Sequence, residues 1–344
     1  MLLKYCLVLV TIGKIVGLSY NLPKFCSDQD WIGDAITYKT GTQVQKGYQM
    51  NMFITSNNDI YTIETKPELA DIQLNGEDYS KFMSNYRYDS GLAYSMFITD
   101  DQSIYLTDIG RIVKRTKEVD TWQHVVFTND YCYEIFISRD DWLYCSMFYQ
   151  HKIVKIHLSD TENRSIVVAG NETGIEGDTA DMLDIPCGIF VDIDLNLYVA
   201  DSDNHRIQLF RPGDLNGITV AGQRPSTSTI VLSNPTDVIL DADNYLYIVD
   251  TENHRIVQST PTSIRCIAGC NGKGSTSNHL FQPFSLFFDV LGNLYVTDKE
   301  NDRIQKFIKN NNCGMSIESK LDQIFFLRYF LHRKRNNFID FDTN

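Results

Sequence analysis

The chain has 344 residues, of which 43% are apolar and 12% aromatic, enough core-forming material to exclude a disordered chain. Acidic residues outnumber basic ones 44 to 31, and the formal charge of −13 repels polyphosphate and anionic membrane surfaces, which argues against nucleic acid as a partner. The longest apolar stretch lies at the N-terminus and is broken by Lys14, so there is no run of about 18 uncharged apolar residues to span a bilayer.

Residues 1–19 read as a secretory signal peptide: Lys4 opens a short basic region, Tyr5 to Ile12 is apolar, and Gly17 and Ser19 are small residues suited to cleavage. A secreted or lumenal chain can carry glycans, and Asn163 and Asn171 are Asn-x-Ser/Thr acceptors in a polar segment. It can also carry disulfides. Removing the signal leaves seven cysteines without zinc-site spacing; Cys266 and Cys270 are close enough to close a small loop, and one thiol must remain odd.

From residue 34 onward the chain is a repeat. DAITYKTG at 34–41 has β propensity and precedes the first unit. Faint or partial units follow: MFITSNNDIYTIE around Tyr61, SMFITDDQSIYLTDIGRIVKR with Tyr105 and Arg111, and EIFISRDDWLYCSMFYQHKIVKI with Tyr144 and Lys152. Three units then align without gaps: NLYVADSDNHRIQLF, YLYIVDTENHRIVQS and NLYVTDKENDRIQKF. Their anchors Tyr198, Tyr247 and Tyr295 are each followed eight residues later by Arg206, Arg255 or Arg303. Upstream of each stands a Leu three residues before a Pro, then a strand (GIFVD, DVILD, SLFFD) and a tight acidic turn. Downstream stands a β-rich segment ending in Ala-Gly.

Four short strands per unit and six units of 39 to 54 residues predict an all-β, six-bladed β-propeller of four-stranded antiparallel blades over residues 26–313, an architecture that protects its sheet edges by radial closure. The last unit lacks its Ala-Gly strand, so the N-terminal strand at 34–41 is predicted to complete it. Cys26 and Cys313 then flank the closure, and a disulfide between them would stabilise by roughly 2–5 kcal/mol.

The pattern Tyr-Val-x-Asp-x-x-Asn-His-Arg-Ile resembles the NHL repeat, with Asn204-His205-Arg206 and Asn253-His254-Arg255 in the place of its naming motif. The likeness is strong over 186–307 and weaker upstream; the third unit departs most, with Met147 where the fourth has Asp201. The recurring pairs Asp201 and Arg206, Asp250 and Arg255, and Asp298 and Arg303 read as structural ion pairs rather than catalytic groups, because successive units repeat them.

The resemblance also implies an alternative, a metal-dependent hydrolase or lyase similar to the peptidyl-hydroxyglycine amidating lyase, with calcium or zinc in the channel. His151, His205 and His254 occupy equivalent positions in successive units and so cannot converge on one ion. His124, His157 and His279 have irregular contexts. Asp192, Asp194 and Asn196 resemble the start of a calcium loop but lack its Gly and distal Glu, and read as an acidic turn. RNA binding, a use of some NHL propellers, conflicts with the 24 basic against 40 acidic residues of 20–313, and ubiquitin-ligase recruitment with the lack of room for zinc modules. Residues 314–344 form a tail with helical spacing of apolar residues and a basic cluster, able to touch a membrane or partner or to stay disordered. No catalytic, cofactor or metal residue is assigned. The sequence points to a secreted or lumenal, non-catalytic scaffold that binds protein, peptide or glycan.

Overall fold

The computed structural model describes residues 22–25, 30–40, 50–66, 69–74, 77–78, 95–108, 110–117, 119, 121–128, 130–162, 164–222, 231–260 and 263–310. The signal at 1–19, Cys26, Cys313, Asn163 and the tail at 314–344 lie outside the described residues.

The described strands form six four-stranded antiparallel sheets. After β1 (Ile36–Thr40), sheet 1 comprises β2 (Met50–Ile54), β3 (Ile60–Lys66), β4 (Leu69–Leu74) and β5 (Glu77–Asp78), and sheet 2 comprises β6 (Met96–Ile98), β7 (Ile104–Asp108), β8 (Arg111–Arg115) and β9 (Gln123–Phe127). Sheet 3 has β10 (Cys132–Ile137), β11 (Trp142–Met147), β12 (Lys152–His157) and β13 (Ile166–Gly170); sheet 4 has β14 (Pro186–Val191), β15 (Leu197–Asp201), β16 (Arg206–Phe210) and β17 (Ile218–Gly222). Sheet 5 has β18 (Pro235–Leu240), β19 (Leu246–Asp250), β20 (Arg255–Ser259) and β21 (Ile264–Ala268). Sheet 6 has β22 (Pro283–Phe288), β23 (Leu294–Asp298) and β24 (Arg303–Phe307), and β1 pairs antiparallel with β24. The first strand of each sheet packs against the first strand of the next, and β22 packs against β2. These strands therefore surround one axis. All this belongs to one compact unit, Met1–Phe25 with Asp30–Lys309; a second unit, Cys26–Gln29 with Asn310–Asn344, has only Asn310 among the described residues.

The strands form where apolar and β-branched residues run together, and the second strands β15, β19 and β23 are buried at every position, because each sheet is covered on both faces by neighbours. The turns from first to second strand are set by one carboxylate each. Asp192 accepts the backbone N–H groups of Asp194 and Asn196 at 2.9 and 2.8 Å, Asp241 those of Asp243 and Tyr245, and Asp289 those of Leu291 and Asn293. The run at 192–196 thus spends its first carboxylate on the turn itself.

The repeated Asp and Arg side chains meet at the opposite ends of the second and third strands. Arg206 Nε donates to Asp201 Oδ2 at 2.7 Å, Arg255 to Asp250 at 2.8 Å and Arg303 to Asp298 at 2.7 Å. The Asp201 carboxylate is fully buried; its Oδ1 accepts the Asp184 N–H, and the remaining Arg206 donors hold the carbonyls of Asp178, Thr179 and Met182. Each Arg thus ties the incoming loop to its own sheet. Removing one partner strands a buried charge. Arg206→Met is expected to lower unfolding free energy by roughly 3–5 kcal/mol, and adding Asp201→Asn to recover part of it; urea unfolding of the three proteins checks this, and a single-variant loss below about 1 kcal/mol, the range of exposed pairs, would contradict it.

Candidate functional site at the axial cavity

Where the six first strands converge, the axis must be filled. Phe53, Phe97, Phe136, Phe190, Ile239 and Phe287 stand in identical register, each paired across its sheet with an anchor tyrosine: Tyr61, Tyr105, Tyr144, Tyr198, Tyr247 or Tyr295. Their rings touch in succession, with centroids 5.0 Å apart for Phe53 and Phe97, 5.3 Å for Phe97 and Phe136, and 5.5 Å for Phe136 and Phe190, while Phe287 returns to Phe53 at 5.7 Å. The ring surrounds a cavity of about 60 Å³, which Leu22, Leu240 and Phe288 also line.

Two residues earlier on each first strand is a polar or small layer: Asn51, Ser95, Glu134, Gly188, Asp237 and Ser285. Three of its side chains reach to the neighbouring first strand. Ser95 Oγ accepts the Ile135 N–H at 3.2 Å, Glu134 Oε2 the Ile189 N–H at 2.9 Å, and Asp237 Oδ2 the Leu286 N–H at 3.0 Å, with Asp237 Oδ1 on its own neighbour Val238 at 2.7 Å. Gly188 is required by close approach: a Cβ there would lie 2.6 Å from the Asp237 Cα. Glu134 and Asp237 both line the cavity. Burial, and for Glu134 the neighbouring Asp237 charge, push both carboxyls up, Glu134 well above its usual range and Asp237 to about 7.

A strip of aromatic rings leads to these acids. Tyr149, 62% exposed, contacts Tyr131 and Phe148; Phe148 stacks on Tyr133 at 5.1 Å, and Tyr133 meets Phe284 of sheet 6 at 5.5 Å. The Lys299 ammonium lies 5.6 Å from the Phe284 ring. The third unit supplies four of these five rings together with Glu134, and unlike sheets 4, 5 and 6 it lacks the Asp–Arg tie: Met147 and Lys152 stand in those positions. A disulfide between Cys132 and Cys145 joins β10 to β11 instead. Cys187, buried and free, is hydrogen-bonded to Tyr133, and burial pushes its thiol up to about 12, so it is no nucleophile at neutral pH.

The histidines do other work. His151, His205 and His254 sit at left-handed positions, and each Nδ1 accepts a backbone N–H from the next unit, of Ile185, Asn234 or Gln282, at 3.1–3.2 Å. His151 is also flanked by Asp184 at Nδ1 and Glu176 at Nε2, 3.2 and 3.6 Å away. These three could hold an ion, but the carboxylates face opposite ring nitrogens and one nitrogen already accepts the Ile185 N–H. His124, His157 and His279 do not line the axial cavity. Cys266 and Cys270 are disulfide-bonded. Asn171 is half-buried, its Oδ1 accepting from the Thr173 N–H and hydroxyl.

The structure resembles solved propellers. The fold is that of an all-β propeller with four-stranded antiparallel blades. No family model matches the chain, and no curated protein matches it. Among solved structures, virginiamycin B lyase from Staphylococcus aureus superimposes with a TM-score of 0.54 at 12% identity, over 78% of this chain and 97% of that one. An auxiliary nutrient binding protein from Bacteroides thetaiotaomicron gives 0.58 at 15% identity, over 83% and 78%. A putative gluconolactonase gives 0.53 at 10% identity, over 84% and 94%. At these identities the likeness concerns the fold alone.

Sequence reasoning missed Glu134, Asp237, the phenylalanine ring and the Cys132–Cys145 bond. One signal was present: the ring residue stands eight positions before every anchor tyrosine. Because their folded-state pKa values are raised, Glu134 and Asp237 bind protons more readily in the folded chain, so they cost stability progressively as pH rises from about 4 through about 7. Glu134→Gln is therefore expected to gain stability relative to wild type as pH rises from about 4 to about 8. Thermal unfolding across that range checks it; a difference independent of pH would contradict the repulsion.

Proposed function

We propose that this protein is a secreted or lumenal, non-catalytic NHL-type propeller whose six sheets act as the blades of one ring closed by β1, and that it binds a polypeptide segment across the face where Tyr149, Phe148, Tyr133 and Phe284 lie. The observation that carries this reading is the continuous aromatic strip running from an exposed tyrosine to the axis, built on a unit that lacks the structural tie of sheets 4, 5 and 6. Aromatic side chains supply large contact area at low entropic cost. Two disulfides suit an oxidising compartment, and no helix among the described residues is long and apolar enough to cross a membrane. The chain's −13 charge favours a basic partner segment through long-range attraction.

A metal-dependent hydrolase or lyase is less well supported by the donor set. Of the described residues lining the cavity, only Glu134 and Asp237 carry carboxylates, and none is a His or Cys; three of the four carboxylate oxygens already accept backbone N–H bonds. A hard divalent cation takes six or more oxygens. Lactones and streptogramins are what some structural relatives are named for, and both are direct substrates to test.

The test is a peptide library and a glycan array probed with the secreted protein and with a Tyr149→Ala, Phe148→Ala double variant. Capture of a peptide class by the wild type, weakened at least tenfold in the variant, is the expected result. Capture of glycans alone, unchanged capture by the variant, or turnover of a lactone or ester with a requirement for metal would overturn the reading.

A further inference from the structure

The axial cavity is chemically odd. It is walled by phenylalanine rings, which want an apolar guest, yet it is capped by two carboxylates, which are costly to leave unpaired in such a place. Among the described residues no cationic side chain lines it. Glu134 spends Oε2 on the Ile189 N–H and keeps Oε1 without a donor among the described residues. Ser285 stands on β22 at the position that Asp237 holds on β18, in the same layer around the axis. It is 5% exposed, and its Oγ has no hydrogen-bond partner among the described residues. Glu134 Oε1, on the cavity wall, and Ser285 Oγ, in the same layer but outside the cavity's lining, are thus two unused acceptors.

Resting on the binding function proposed above, we infer that the axial cavity is a receptor for an aliphatic ammonium group, with the cation held by Glu134 and Asp237 and the alkyl stem against the ring of Phe53, Phe97, Phe136, Phe190 and Phe287. The chemistry selects this guest over a metal ion. An ammonium has three donors and needs only a few acceptors, it gains from aromatic faces when desolvated, and its alkyl chain gains from apolar walls. A divalent cation gains nothing from phenylalanine and finds too few free oxygens. At about 60 Å³ the cavity exceeds the roughly 15 Å³ that one water needs by enough to admit a group of a few heavy atoms. The guest could be a free amine or a lysine side chain of the bound segment, since both present the same group.

The test is calorimetric titration of the full secreted chain with n-butylammonium chloride, with 1-butanol as the uncharged counterpart and calcium chloride as a competitor. Glu134→Gln and Ser285→Ala are compared after thermal unfolding shows that each is folded; Ser285→Ala leaves both carboxylates in place. Binding of n-butylammonium, at least tenfold weaker in Glu134→Gln, retained in Ser285→Ala and unaffected by calcium, is expected. A lysine-containing library peptide that competes with it identifies lysine as the source, and one that does not identifies a free amine. Equal binding of 1-butanol, or displacement by calcium, would overturn the inference. So would the lack of any n-butylammonium binding; if peptide capture then still depended on Tyr149 and Phe148, the binding function would stand without the ammonium site.

Discussion

Six sheets that share an axis must fill it, and this protein fills it with aromatic rings. The first strands approach one another only as closely as Phe53, Phe97, Phe136, Phe190, Ile239 and Phe287 allow, and the anchor tyrosine opposite each one carries the packing outward. Truncating one ring would leave a cavity on the axis and remove contacts to both neighbours. Everything farther out, including the Asp–Arg ties and the histidine bonds between units, adds register to sheets whose spacing the axis already dictates.

Those outer ties are local and repetitive, which is why they are legible in sequence. Asp201 and Arg206 are five residues apart, recur at 250 and 255 and at 298 and 303, and touch in the structure. Cys266 and Cys270 lie close in sequence and are bonded. The axial site is less legible for a physical reason: its residues come one from each sheet, separated by about a hundred positions in the case of Glu134 and Asp237, and a pairing across an axis leaves no spacing rule within any unit. The phenylalanine ring falls between these cases. It repeats eight residues before each tyrosine, but apolar residues in a strand all look like core until register separates those facing the axis from those facing a neighbouring sheet. Cys132 and Cys145 escaped because they are thirteen residues apart and nothing in the repeat calls for a bond there.

The third unit shows how a repeat makes room for function. Where the fourth, fifth and sixth units spend the end of the second strand on a buried carboxylate and its arginine, this one has Met147 and then Phe148 and Tyr149, and it holds its strands with a disulfide. A covalent bond leaves the turn free of the hydrogen-bonding duties that fix Asn204, Asn253 and Asn301 against neighbouring carbonyls. The freed turn carries aromatic rings, and the same unit projects Glu134 to the axis. Departure from the consensus and concentration of unusual chemistry coincide in one place.

The most direct test of this account is hydrogen–deuterium exchange of the full chain with and without the library peptide of highest affinity. Protection concentrated at residues 131–136 and 147–151, with a second focus at 283–286, is the predicted result. Protection confined to the acidic turns at 192–196, 241–245 and 289–293, on the opposite ends of the strands, would contradict the assignment of the binding face.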